Sequence, residues 1–213
     1  MSTYPVMSPT THRQAATHLA KHDPHLAAVI AVIGECKILP HTNYYQDIVE
    51  SIIGQQLSVK AAATINKRFR DLFGPRFPTP AQILEQDIET LRSVGLSRPK
   101  ARYIQDLAQH VVDGRLSFDG LDNLSNQEVV TKLTAVKGIG EWTAHMFLMF
   151  CMGRTDILAW GDLGIRNSIK KLYSLERNPS PDDIRAIAKK YNWHPYESIA
   201  CWYLWQALDN EPK

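Results

Sequence analysis

Apolar residues recur at helical spacing along almost the whole chain, and no stretch shows the two-residue alternation of a half-buried strand. The sequence therefore specifies an all-α fold. Start and stop signals divide it. Ser125-Asn126-Gln127-Glu128 is a capping box whose side chains satisfy orphan amides and launch a helix with Val129, Val130 and Leu133 on one side. Ser180-Pro181-Asp182-Asp183 repeats the device and opens a helix over 182–191, with proline where an amide would have no helical partner. Gly95 and Gly114 read as helix stops. Further helices are expected near 11–22, 24–33, 43–56, 58–73, 87–94, 98–112, 141–152, 163–173 and 196–208. In the last of these, Ile199, Trp202, Tyr203, Leu204 and Trp205 place bulky groups nearly all round, which predicts burial on several sides.

At 213 residues and 44% hydrophobic content the chain can bury a core. We expect one domain of two packed helical lobes, lobe A over about 43–172 and lobe B from 1–42 and 173–213, with a cleft between them. The three cysteines, Cys36, Cys151 and Cys201, lie far apart in apolar segments, which excludes a disulfide framework and a zinc or iron-sulfur spacing. Eight histidines form no ligand-spaced cluster. No stretch approaches the roughly 18 apolar residues of a spanning helix, and the polar start from Met1 to Arg13 has no signal-peptide pattern. An intracellular monomer is expected, in the nucleus of a eukaryote or the cytoplasm and nucleoid of a bacterium. A net charge of +2 does not by itself point to a nucleic-acid partner.

The stretch from Leu133 to Ala144 reads as a helix end, a turn with Gly138 and Gly140, and a new helix start, with Ile139 plugging the gap between the helices. Glycine permits backbone angles that a Cβ forbids and lets another surface approach closely. The amides of Gly138, Gly140 and the following turn then face outward at a positive helix terminus, a site for one DNA phosphate. Such contacts read the backbone without sequence information, so a nearly neutral protein can make them. An ordinary helix-turn-helix corner would use the same glycines for packing alone.

About twenty residues on, Ala159-Trp160-Gly161-Asp162-Leu163-Gly164-Ile165-Arg166-Asn167 places an aspartate at the mouth of a helix. Hairpin, helix, loop and aspartate together resemble the helix-hairpin-helix DNA glycosylases, specifically the 3-methyladenine DNA glycosylase II branch that excises alkylated purines. The resemblance covers roughly 43–208, including Ser51 to Ser58 and Trp193 to Trp205.

That resemblance implies a duplex-DNA partner carrying damaged or abasic nucleotides, and Asp162 as the catalytic group. An alkylated purine is a cationic leaving group, and a carboxylate near the sugar stabilises its developing oxocarbenium charge and orients or deprotonates water. Asp162 also fits a plain helix cap, and both roles are compatible. The resemblance assigns Trp142, Trp160 and Met146 to the pocket for the extruded base, where an aromatic face offers a cation roughly 0.5–2 kcal/mol. Trp142 stands where bifunctional relatives carry their Schiff-base lysine, and an indole forms no imine. DNA contacts fall to Lys137, Gly138, Gly140 and Thr143 of the hairpin and to the loop Gln55, Gln56, Leu57 and Ser58, which fills the gap left by the base. No cofactor is required. In relatives the hairpin carbonyls bind a monovalent cation, and those of Thr134, Val136 and Ile139 correspond, for Na+ or K+.

The chain also departs from the pattern. Gly161 replaces a residue that is often acidic, and Gly164 adds a second flexible point beside the aspartate. His194 and Glu197 stand where arginines are common, and Ser58 where some relatives place a larger plug. The extra N-terminal sheet region of many bacterial members has no room here. A catalytic group displaced by about 1 Å loses ~100-fold in rate. A non-catalytic module that recognises abasic or distorted sites is therefore a second reading, and a generic hairpin module of a larger assembly a third.

Overall fold

The computed structural model describes residues 4–41 and 43–209, apart from the side chain of Asp209. The ends of the expected lobe B, and Thr42, lie outside them. In chain order the helices are α1 (Pro9–His22), α2 (Pro24–Ile33), α3 (Tyr44–Gly54), α4 (Val59–Phe73), α5 (Pro80–Leu84) and α6 (Ile88–Ser93). They continue as α7 (Arg98–Val112), α8 (Asn126–Thr134), α9 (Glu141–Met146), α10 (Leu163–Leu172), α11 (Pro181–Lys190) and α12 (Glu197–Asp209). A 3-10 turn covers Leu121–Asn123, and a π-helical turn over Phe147–Cys151 extends α9. Among the described residues the sole strand-like feature is an isolated bridge between Val6 and Arg154.

Capping chemistry sets the boundaries. Ser125 and Ser180 form the expected capping boxes with Glu128 and Asp183. Ser8 accepts from the Thr11 amide and starts α1 two residues before the predicted position. Helix α5 was not expected, although Thr79-Pro80-Ala81-Gln82 closes a capping box with proline in its first turn. The helix predicted to 152 keeps α geometry only to Met146.

The chain forms two compact units, residues 42–147 and residues 1–41 with 148–213. The expected boundary at 172 is corrected to 147, because α10 packs on α12, and α12 on α1 and α2. Asp162 and its helix therefore belong with the chain ends, not with the hairpin. In the 42–147 unit, Ile48, Val49, Ile52 and Ile53 bury one side of α3, joined by Phe69, Ile104, Leu107 and Leu133. Each such side chain contributes about 1.5–3 kcal/mol on leaving water. In the other unit Ile199, Ala200, Cys201, Tyr203 and Leu204 of α12 are fully buried, as the all-round pattern predicts, while Trp202 and Trp205 are only partly covered.

That second unit also buries Asp23 completely. One oxygen caps α2, accepting from the amides of His25 at 2.9 Å and Leu26 at 3.2 Å. The other accepts from the Tyr173 hydroxyl and, at 2.8 Å, from Trp193 Nε1. A buried carboxylate is tolerable only when its lone pairs are met this fully.

Candidate active site

In the 42–147 unit, α8 ends at Thr134 and the chain turns through Val136–Gly140 into α9. Gly138 has φ +84°, and a Cβ there would sit 2.2 Å from Tyr103 Cδ2, so the Tyr103 ring lies directly on the glycine. Both the angle and the space demand glycine. Ile139 is buried as the plug, and its amide donates to the Val136 carbonyl at 3.2 Å. Gly140 opens α9 without a side-chain cap, and among the described residues no acceptor takes the amides of Gly138 or Gly140. An uncapped, exposed helix start is a ready acceptor of an anion.

Two residues of the hairpin set behave differently from expectation. The Lys137 amide donates to Asp106 Oδ2 at 2.9 Å, so only its side chain, 81% exposed, is presented outward. Thr143 is buried, which removes its side chain from the DNA-facing set. Trp142 is exposed and Met146 half-buried in the same short helix.

The loop after α3 is braced to this hairpin. Gln55 Nε2 donates to the Gly138 carbonyl at 2.9 Å. Lys100 Nζ donates to the carbonyls of Ile53 at 2.8 Å and Gln55 at 2.5 Å, placing a cation at the negative end of α3. Burial holds the Lys100 pKa below its ordinary value. Ser58 caps α4 through the Ala61 amide. Gln56, at φ +56°, and Leu57 are exposed at the loop tip. Gln55 is thus a brace, and Gln56 and Leu57 are the exposed candidates for entering DNA. Lys100 and Asp106 carried no sequence signal, since neither lies within the two motifs.

In the other unit, residues 154–162 lie along one face of α12. Ser198 Oγ donates to the Arg154 carbonyl at 2.8 Å and accepts from the Ile157 amide at 3.0 Å. Cys201 Sγ is 4.0 Å from the Ile157 carbonyl, and Trp205 Nε1 donates to Asp162 Oδ1 at 2.8 Å. Positions 198, 201 and 205 follow the spacing of one helix face. The same Asp162 oxygen accepts from the Ile165 amide at 2.9 Å and caps α10. Hydrogen bonds to a charged acceptor contribute about 1.5–3 kcal/mol each, enough to fix the carboxylate rotamer.

Gly164 acquires a purpose here. A Cβ on it would meet Asp162 Oδ1 at 3.0 Å and Trp205 Cδ1 at 3.1 Å, tighter than ordinary contact. It makes room for the carboxylate and the indole instead of loosening them. Trp160, partly exposed, carries the Arg185 guanidinium 4.9 Å from its ring centroid, so a protein cation already occupies one indole face. His194 Nδ1 lies 3.1 Å from Glu197 Oε1, and burial holds the Glu197 carboxyl above the usual carboxylate range.

The family described as HhH-GPD superfamily base excision DNA repair protein matches residues 49–192. The chain is 31% identical over 200 residues to the alkylbase DNA glycosidase-like protein mag2 of Schizosaccharomyces pombe, covering 92% of this chain and 93% of that one. The crystal structure of a DNA-3-methyladenine glycosidase from Bacillus halodurans superposes with a TM-score of 0.83 at 38% identity, covering 99% of this chain and 92% of its own. The S. pombe 3-methyladenine DNA glycosylase Mag1 in complex with abasic DNA superposes with a TM-score of 0.80 at 30% identity, covering 91% and 95%.

Proposed function

Because the chain belongs to the HhH-GPD superfamily of base excision DNA repair proteins, we propose that it is a monofunctional DNA glycosylase that hydrolyses the N-glycosidic bond of alkylated purines of the 3-methyladenine and 7-methylguanine type. Relatives named as 3-methyladenine glycosylases over nearly the full chain support the substrate class. The observation that carries the reading is the Asp162 carboxylate, held at the mouth of α10 by two donors on one oxygen.

The hairpin and the Lys137 side chain hold the phosphate backbone, and the lesion is extruded, since its glycosidic bond is out of reach in the stack. Leu57 or Gln56 enters the space left behind. Asp162 stabilises the cationic sugar as the neutral purine departs, and directs water to the anomeric carbon. With Trp142 in place of a lysine, no imine forms and the product is an intact abasic site. The carbonyls of Thr134, Val136 and Ile139, hard oxygen donors at and just past the end of α8, fit a monovalent cation, Na+ or K+, that would stiffen the turn.

A second reading, a non-catalytic module for abasic or distorted sites, is favoured by one observation: Arg185 covers the Trp160 face on which a cationic base would stack. Incubation of excess protein with a 7-methylguanine duplex, scored for free base beside binding to an abasic duplex, separates the two. Free base supports the glycosylase. Tight abasic binding without free base supports the module.

A further inference from the structure

Trp205 looked from its sequence like a core residue of α12, yet its indole is partly exposed and its N–H points at the proposed catalytic oxygen. Resting on the glycosylase reading, we propose that Trp205 is the positioning residue for Asp162, holding the carboxylate plane through its Nε1. Three observations converge. The indole donates to Oδ1 at 2.8 Å, beside the Ile165 amide at 2.9 Å, so two neutral donors from different elements converge on one oxygen. Phe150 stacks on Trp205 at 5.8 Å with an interplanar angle of 28°, which fixes the indole itself. Gly164 leaves the gap that lets carboxylate and indole meet, since a Cβ there would press on both.

The choice of a neutral donor has a chemical reason. An arginine or lysine in this place would orient the carboxylate equally well but would offset the negative charge that must oppose the oxocarbenium ion. The indole N–H orients without neutralising. Because Ser198, Cys201 and Trp205 share one face of α12, the donor reaches Asp162 from the same surface that holds the preceding loop at Arg154 and Ile157. The helix thus acts as a rail for the loop, with Trp205 at the end nearest the chemistry.

Single-turnover release of 7-methylguanine tests the inference in the parent and in the Trp205→Phe and Gly164→Ala variants, with thermal unfolding recorded for each. Phe keeps the stacking surface for Phe150 and removes only the donor. The expected result is a ~10–100-fold slower release with Trp205→Phe. Half-saturating protein concentration and affinity for an abasic duplex should stay within about twofold, so that the loss falls on the chemical step alone. Gly164→Ala should slow release in the same direction while the donor remains. Parent-like release by a folded Trp205→Phe variant, or a loss that appears in abasic-duplex affinity instead of the release rate, would overturn the inference and leave the glycosylase reading standing. A parent that releases no base overturns both.

Discussion

Asp23 and Asp162 both cap helices, and what separates them is the company each keeps. Asp23 is sealed among the amides of His25 and Leu26, the Tyr173 hydroxyl and the Trp193 indole, an arrangement that ties α2 to the buried core of its unit. Replacing Asp23 with Ala strands those donors and should cost about 3–5 kcal/mol, read as a lower denaturant midpoint. Parent-like stability would show that the network contributes nothing. Asp162 is partly exposed, as the chemistry proposed for it requires. At Trp160 the competing cation makes a separate prediction. Arg185→Ala removes that cation from the indole face, and preference for a 7-methylguanine duplex over undamaged DNA should rise about two- to fivefold. An unchanged preference would remove Trp160 from the base pocket.

Among the elements, the hairpin leaves least room for change. Gly138→Ala forces a Cβ into the Tyr103 ring at a φ of +84°, and should cost about 3 kcal/mol and weaken DNA binding. Adding Tyr103→Ala should recover part of the binding by clearing the contact; no recovery would place the defect in the backbone angle alone. The hairpin was legible from its glycines because a left-handed turn restricts residue choice locally. Capping boxes were legible for the same reason, and Thr79-Pro80-Ala81-Gln82 carries the same local signal. The braces were not legible. Gln55 meets Gly138, Lys100 meets Gln55 and Trp205 meets Asp162 across long chain separations, and spacing along a chain says nothing of such pairs. Gly164 read as looseness for that reason, since its use depends on an indole about forty residues away.

For the whole molecule, the boundary at 147 instead of 172 follows from the same blindness, because α10 is assigned by what it packs on and not by what it follows. Burial raises several neutral acids together: the thiols of Cys36 to about 11 and Cys201 to about 12, and the hydroxyl of Tyr203 to about 12, with Tyr45 and Tyr173 also pushed up. Groups whose folded pKa lies above the unfolded value lend full stability below that unfolded value and lose it as pH rises through the folded one. The melting temperature should therefore be insensitive to these groups up to about pH 9 and fall steadily above it; a flat profile to pH 11 would contradict their burial. With a net charge of +2 and one hairpin grip, affinity for DNA should fall with salt at a log-log slope of about −2 to −3. The most direct measurement is single-turnover release of 7-methylguanine by the parent and by Asp162→Asn, beside affinity for an abasic duplex. A base-releasing parent, a variant slower by about a thousandfold and affinities within about threefold are predicted; equal release rates would contradict the assignment of the chemistry to Asp162.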